Sequence, residues 1–303
     1  MKPFLCVYGH TNLDHILTLK ELPARNTSAN VLSKKIFFGG TGANLATMAS
    51  ALGVPTALVS YVGKDLPPAF RDLMVSKGVI LDELVEVEGQ ETPTVWIATD
   101  DREDQVAYVY QGAMAGMSSY PLKVKGAKEA LAVHMMTGSP DYYIKLISQP
   151  YMLRKKKSLD PAQEIHHVWD KDRFAKALEL SDMLFCNRSE MATALRYMGK
   201  ERPEDLLEFI PVIVSTLGAE GARILTRNET VDVPPIKAEA VDPTGAGDAF
   251  RAGFYAGLYR GMSWLESGAL GCAAASFVIA SPGSLTNVPN WEMVRERAEP
   301  LMR

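Results

Sequence analysis

Asp242-Pro243-Thr244-Gly245-Ala246-Gly247-Asp248 opens an apolar stretch that runs on through Ala249-Phe250-Arg251-Ala252-Gly253-Phe254. Small residues let the backbone turn tightly, and the successive N–H groups of a helix start then converge on one spot, which makes it an anion site. An aspartate held there faces the bound anion and is placed to take a proton from an attacking hydroxyl. A cradle for an anion and a base beside it are the two parts that phosphoryl transfer most needs.

Outward from this segment, apolar strand-like runs at 4–8, 56–61, 131–136, 183–186, 212–215 and 222–225 alternate with helical patterns at 43–52, 67–76, 142–149, 173–180 and 189–198. Such alternation predicts parallel strands joined by crossover helices. The last hundred residues turn helical, at 246–259, 263–280 and 291–301. Two regions break the pattern. The runs 94–99 and 105–110 flank a charged turn at 100–104 and read as a hairpin, and 16–38 has strand-like pieces without a helical period. Together they predict a small sheet over the active edge of the main one. It serves either as a lid that keeps water from the transferred group or as an extra edge sheet used for dimerisation. The basic run Arg154-Lys155-Lys156-Lys157 reads as a solvated helix end.

The chain has 303 residues, 47% hydrophobic and 22% charged, enough for one large α/β domain with a polar surface. A net charge of −4 speaks against nucleic acid as a partner. Cys6, Cys186 and Cys272 lack metal spacing, and an odd count disfavours a disulfide framework, as expected in a reducing cytoplasm. The opening Met1-Lys2-Pro3-Phe4-Leu5-Cys6-Val7-Tyr8-Gly9 reads as a first buried strand rather than a signal peptide. No run approaches the roughly 20 apolar residues of a membrane span, so no membrane partner is expected.

Four further elements carry chemistry. Gly39-Gly40-Thr41-Gly42-Ala43-Asn44 lies at a helix start. It reads as a tight turn against a polar small molecule, as a purely structural turn, or as a dinucleotide fingerprint whose third glycine is misplaced. Asn12-Leu13-Asp14 follows the first strand, where a carboxylate can accept hydroxyl hydrogen bonds from a sugar or cap a turn. Asn187-Arg188-Ser189-Glu190 fits either a capping box or a pair that holds the water shell of Mg²⁺. Ser215-Thr216-Leu217-Gly218-Ala219-Glu220-Gly221 is either a phosphate-binding turn or a plain hairpin. The histidines His10, His15, His134, His166 and His167 show no zinc spacing and no evident site.

In their order and spacing these elements resemble the ribokinase-like (PfkB) carbohydrate and nucleoside kinases over essentially the whole chain. Asn12-Leu13-Asp14-His15 is similar to that family's sugar-binding element, 39–44 to its first signature, 187–190 to its Asn-x-x-Glu motif and 242–248 to its second signature. Thr216-Leu217-Gly218 with Gly221 is similar to its nucleotide loop. The resemblance implies one α/β domain over 1–303, a doubly wound, mostly parallel sheet with helices on both faces. A small β lid is expected from about 11–38 and 90–115. It implies ATP as donor with Mg²⁺, Asp248 as general base, and the N–H groups of Gly245, Ala246 and Gly247 as the anion hole. Asn187 and Glu190 are expected to position Mg²⁺ and phosphates, and Thr216, Gly218 and Gly221 the nucleotide. Asp14, Gly39, Gly40 and Asn44 are expected to hold the acceptor's hydroxyls. Some members bind a monovalent cation such as K⁺; the matching positions here are Asp242, Thr244, Ser281, Gly283 and Asn287.

Gly138-Ser139-Pro140 stands where ribokinases place a glutamate before Ser-Pro, which disfavours free ribose and leaves room for a larger acceptor. Asp160-Pro161-Ala162-Gln163, the run from Gly247 and the ending Ser284-Leu285-Thr286-Asn287-Val288-Pro289 are most similar to archaeal nucleoside kinases. Gln163 is then the candidate that reads a base edge and Met114 one that packs on the base, while Arg251 either reaches phosphate or pairs with a neighbour. The expected activity is transfer of the γ-phosphoryl group to the 5′-hydroxyl of a ribonucleoside. The rivals are a sugar or sugar-acid kinase of the same family, a non-catalytic nucleoside or sugar sensor, and, more distantly, a dinucleotide-dependent oxidoreductase.

Overall fold

The first strand shows how the layers arise, because its residues divide strictly by parity. Leu5 and Val7 enter one core while Cys6 and Tyr8 enter the other, the period-2 alternation of a strand covered on both faces. The computed structural model describes residues 2–102 and 104–302; Glu103, in the charged turn at 100–104, lies outside the described residues. In chain order the strands are β1 (Leu5–Tyr8), β2 (Asn12–Leu19), β3 (Val31–Gly39), β4 (Thr56–Val62), β5 (Ile80–Glu86), β6 (Thr94–Thr99) and β7 (Gln105–Tyr110). They continue with β8 (Ala132–Met135), β9 (Lys156–Leu159), β10 (Met183–Asn187), β11 (Val212–Thr216), β12 (Ala222–Thr226) and β13 (Thr230–Val233). The helices are α1 (Thr41–Ala51), α2 (Pro68–Ser76), α3 (Lys125–Glu129), α4 (Pro140–Ile147) and α5 (Lys171–Glu179). The rest are α6 (Arg188–Met198), α7 (Ala246–Tyr259), α8 (Trp264–Val278) and α9 (Trp291–Ala298).

Nine strands form the main sheet in the order β13-β12-β11-β10-β9-β8-β1-β4-β5. Strands β5 through β11 of that order pair in parallel, and β12 and β13 add antiparallel. One face is covered by α1, α2, α7, α8 and α9, the other by α4, α5 and α6. The helices start where short polar side chains satisfy free N–H groups: Ser139 caps α4, Asp170 caps α5, Ser263 with Glu266 caps α8 and Asn290 caps α9. A separate four-stranded sheet, β3-β2-β6-β7, is built from the two inserts, with β2 and β6 parallel between antiparallel outer pairs.

The structure adds three main-sheet strands beyond the expected runs: the short interior strand β9 and the two edges, β5 and β13. Edge strands carry charges such as Asp82, Glu83 and Asp232 that blunt association, so they lack the apolar runs of the interior strands. The basic run is also placed differently: Lys156 and Lys157 begin β9, and Lys157 pairs with Asp182 at 2.8 Å. The parallel strands β1, β8, β9, β10 and β11 end on a common edge, so the turns after Tyr8, Met135, Leu159, Asn187 and Thr216 meet there. Among the described residues no helix is long and apolar enough to cross a membrane.

Helix α7 is pinned by Phe254, fully buried and stacked against Trp264 at 6.0 Å between ring centroids. Phe254→Ala is expected to cost about 3–5 kcal/mol. Urea unfolding checks this, and a loss below about 1 kcal/mol would contradict the packing described.

Candidate active site

Gly245 caps α7 with φ 79°, and a Cβ there would collide with the Ser284 side chain, so glycine is required on both conformational and steric grounds. The first-turn N–H groups of α7 have no partners within the helix; that of Ala246 donates to the Pro243 carbonyl at 3.1 Å, and the helix start opens at Thr244, Gly245 and Asp248 toward the common edge of the sheet. Asp248 sits in this turn, 8% exposed. Asn44 of α1 donates from Nδ2 to its Oδ2 at 2.8 Å, and Ser284 in turn donates to Asn44 Oδ1 at 2.9 Å. Burial pushes the Asp248 carboxyl up to about 6, against the opposing pull of the Arg251 charge and the Asn44 hydrogen bond.

Asp14, on β2, is 7% exposed and accepts a hydrogen bond from Asn12 Nδ2. Burial pushes it up to about 7; the Asn12 bond pulls the other way, and Asp248 and Asp242 add to the rise. Gly39 and Gly40 exist in this sequence because nothing larger fits. A Cβ at Gly39 would meet the Asp14 carboxylate, and one at Gly40, where φ is 96°, would lie 2.5 Å from Asn12 Oδ1 and the His10 carbonyl.

These groups line one cleft of about 700 Å³. It brings together Asp14, Gly40, Asn44, Gln163, Asn187, Glu190, Thr244, Gly245 and Asp248 from the expected set, with Val95, Ile97, Ala107 and Val109 of the small sheet across from them. Gly39, Ala246, Gly247, Thr216, Gly218 and Gly221 are not among its lining residues. Thr216 pairs in register with Asn187 at the sheet edge, and Gly218 and Gly221 shape the hairpin from β11 to β12 with φ 63° and 90°.

Asn187 and Glu190 form a full capping box. Glu190 Oε2 accepts the Asn187 N–H at 2.7 Å, Oε1 accepts Asn187 Nδ2 at 2.8 Å, and Asn187 Oδ1 accepts the Glu190 N–H at 2.9 Å. Asp242 accepts from the N–H groups of Thr244 at 2.9 Å and Gly283 at 2.8 Å, tying the turn before α7 to the segment that follows α8. Asn287 donates to the Phe277 carbonyl at 2.7 Å, and Ser281 N–H bonds to the Val278 carbonyl.

Sequence reasoning missed a polar chain along the cleft. The Gln111 side-chain Oε1 accepts from His10 Nε2–H, which leaves His10 Nδ1 to accept from Thr137 Oγ1 at 2.7 Å, and Thr137 accepts from Thr41 Oγ1 at 2.6 Å. At the other end Gln111 Nε2 donates to Glu164 Oε1 at 3.2 Å, and the Gly138 N–H to Glu164 Oε2 at 2.6 Å. The reading of the histidines as forming no site is thus corrected for His10, His166 and His167, all of which line the cleft. Met114 is corrected too: it is buried in the core beneath α4 and does not face the cleft. Nor does Gly138 leave space, since its φ is 152° and a Cβ would strike the Tyr143 hydroxyl, with Met117 Sδ at 2.9 Å. These five polar residues come from five segments, so only Thr41, inside a recognisable motif, carried a local signal.

The fold, with a buried aspartate in the first turn of a glycine-capped helix at its cleft, is that of a phosphotransferase with an alcohol group as acceptor. The chain belongs to the family described as pfkB family carbohydrate kinase, whose model matches residues 2–291. It is 34% identical over 288 residues to a nucleoside kinase of Methanothermobacter thermautotrophicus, covering 94% of this chain and 92% of that one. A nucleoside kinase of Methanocaldococcus jannaschii is 33% identical over 301 residues, covering 99% and 97%. The crystal structure of the Methanocaldococcus jannaschii nucleoside kinase, described as an archaeal member of the ribokinase family, superposes with a TM-score of 0.91 at 32% identity, covering 99% of each chain.

Both raised carboxyls have a consequence for stability. Each binds its proton more tightly folded than unfolded, so its contribution is full below about pH 4 and is lost as pH rises through about 6 for Asp248 and 7 for Asp14. Asp248→Asn and Asp14→Asn are therefore each expected to stabilise the protein at pH 8 by on the order of 1–3 kcal/mol and to leave it unchanged at pH 4. Thermal unfolding at the two pH values checks this, and no gain at pH 8 would contradict it.

Proposed function

We propose that this chain is an ATP- and Mg²⁺-dependent nucleoside kinase that transfers the γ-phosphoryl group to the 5′-hydroxyl of a ribonucleoside. The observation that carries the reading is Asp248, a buried carboxylate in the first turn of α7, oriented by Asn44 and open to the cleft. The names of relatives at 33–34% identity support a nucleoside as acceptor, as does a cleft within the range of small-molecule sites.

In this reading Asp14, Gly40 and Asn44 receive the ribose hydroxyls, and Gln163, which also lines the cleft, meets the base. Asp248 accepts the proton of the attacking hydroxyl as the new O–P bond forms and the bond to ADP breaks. A carboxyl poised near 6 is ionised at neutral pH yet basic enough to take that proton. The N–H groups of Gly245 and Gly247, at the positive end of α7, stabilise the charge on the transferred group, whereas that of Ala246, expected to share this role, is bonded to the Pro243 carbonyl. Thr216, Gly218 and Gly221 border the nucleotide beyond Asn187. The small sheet acts as a lid that excludes water, and its exposed Leu32, Ile36 and Tyr108 offer a face for a second copy.

Glu190 offers Mg²⁺ a single carboxylate already bonded twice by Asn187, and no group of three or more acidic, histidine or cysteine residues among the described residues is set to cage a metal. That donor set fits an ion held mainly by phosphates and its own waters, with Glu190 and Asn187 meeting the water shell. Mg²⁺ bound with ATP neutralises phosphate charge. For K⁺ the proposed donors are oxygens of Asp242, Thr244, Ser281, Gly283 and Asn287, of which Asp242 ties Thr244 to Gly283 across two loops.

An ATP-consumption screen with Mg²⁺ and K⁺ against inosine, guanosine, adenosine, cytidine, uridine, ribose and fructose 6-phosphate tests the reading. Turnover of nucleosides to 5′-monophosphates is expected. Turnover of sugars alone would discard the acceptor, and binding without turnover would favour a sensor. Asp248→Asn is expected to lower kcat by about 10²–10⁴-fold while nucleoside affinity by calorimetry stays within about threefold. A near-normal rate would remove Asp248 as base.

A further inference from the structure

Arg251 lies one helical turn beyond Asp248 and is only 5% exposed, an unusual place for a charge. Helical side chains lean toward the N-terminus, and Arg251 does so: its Nη1 stands 2.6 Å from where a Cβ on Gly247 would be, against the anion-binding turn itself. The other side of the guanidinium is held in a fork by Asp160, fully buried at the end of β9, through Nε and through Nη2 at 2.7 Å. Asp160 is fixed from behind. His134 Nε2–H donates to it at 3.0 Å, Tyr255 donates to His134 Nδ1 at 2.9 Å, and Ser158 bonds the Tyr255 hydroxyl at 2.6 Å. The chain Arg251–Asp160–His134–Tyr255–Ser158 thus spans α7, β8 and β9 beneath the cleft. Two residues after Asp160 the backbone enters the cleft-lining segment at Ala162, so one ion pair joins the acceptor side of the site to the helix that bears the base.

A buried ion pair is a poor device for stability alone, because apolar residues of the same volume usually do as well. We infer that Arg251, clamped by Asp160, is a positioning residue for the reaction. It holds the Gly245–Gly247 turn in its anion-binding shape and places a fixed positive charge beneath Asp248 without contacting either substrate. The inference rests on the proposed role of Asp248. The ionisable groups that face Arg251 are Asp160 at the end of β9, Glu190 on α6 and Asp248 on its own helix, and His134 on β8 closes the ring behind Asp160. Among these Arg251 is the cation, since burial holds His134 neutral. Loss of its charge therefore favours the protonated form of Asp248.

The test compares Arg251→Gln, Arg251→Lys and Asp248→Asn, using ATP and inosine. Arg251→Gln is expected to lower kcat at least tenfold and to move the acid limb of the kcat profile upward by about one pH unit. Inosine affinity by calorimetry is expected to stay within about threefold, and Arg251→Lys to recover most of the rate and the original limb. A folded Arg251→Gln protein with wild-type kcat and limb would overturn the inference. Should Arg251→Gln not fold, Arg251→Met combined with Asp160→Asn removes both charges: a tenfold slower folded enzyme supports the assignment and a wild-type rate overturns it. An inactive Asp248→Asn beside a wild-type Arg251→Gln sinks this inference alone, whereas an active Asp248→Asn sinks the base and this inference with it.

Discussion

The hydrogen bond from Asn44 to Asp248 joins residues 204 positions apart, and the site depends on it. It links the first turn of α1 to the first turn of α7, so two glycine-flanked helix starts from opposite ends of the chain form one surface. The glycines follow from that contact. Gly40 lets the chain enter α1 against the His10 carbonyl and Asn12, and Gly245 lets it enter α7 against Ser284, the residue that orients Asn44. A side chain at either place would separate the carboxylate from the amide that aims it.

Removing two carboxylates from water is unfavourable, and the protein offsets part of the cost with few, specific partners. Asp248 has one amide and one nearby cation, and Asp14 has the Asn12 amide. Both carboxyls stay raised, and a site that leaves them so gives up stability in exchange for basicity near neutral pH. Asp160 shows the opposite arrangement. Equally buried, it holds its charge because Arg251 and His134 surround it, and it is held below the usual carboxylate range despite its burial. The two outcomes for buried aspartates, Asp248 on α7 and Asp160 after β9, come from the partners each is given.

The sequence was most legible where the local backbone makes the demand. The turn before α7 and the turn before α1 need small residues at fixed places, and those letters stand in one short run. The interior strands were legible as apolar runs because both faces are covered, and the small sheet because its inserts break the alternation. Edge strands β5 and β13 were not, since charges suited to an edge dilute their pattern. The chain from Thr41 through Thr137, His10 and Gln111 to Glu164 was invisible for a different reason. Its members are single polar residues from separate segments, and only the sheet's common edge brings them together. Gly138 shows how one letter misleads: it reads as vacated space, yet Tyr143 and Met117 fill the room a side chain would need.

The claim at the centre of this account is that a buried carboxylate with a raised pKa begins the reaction by taking a proton. The direct test is the pH dependence of kcat/KM for the nucleoside acceptor between pH 5 and 9, at saturating ATP and Mg²⁺. A plateau above about pH 8 is expected, with an acid limb below it that is steeper than a single ionisation because Asp248 near 6 and Asp14 near 7 both titrate there. A profile that stays flat down to pH 5 would contradict it.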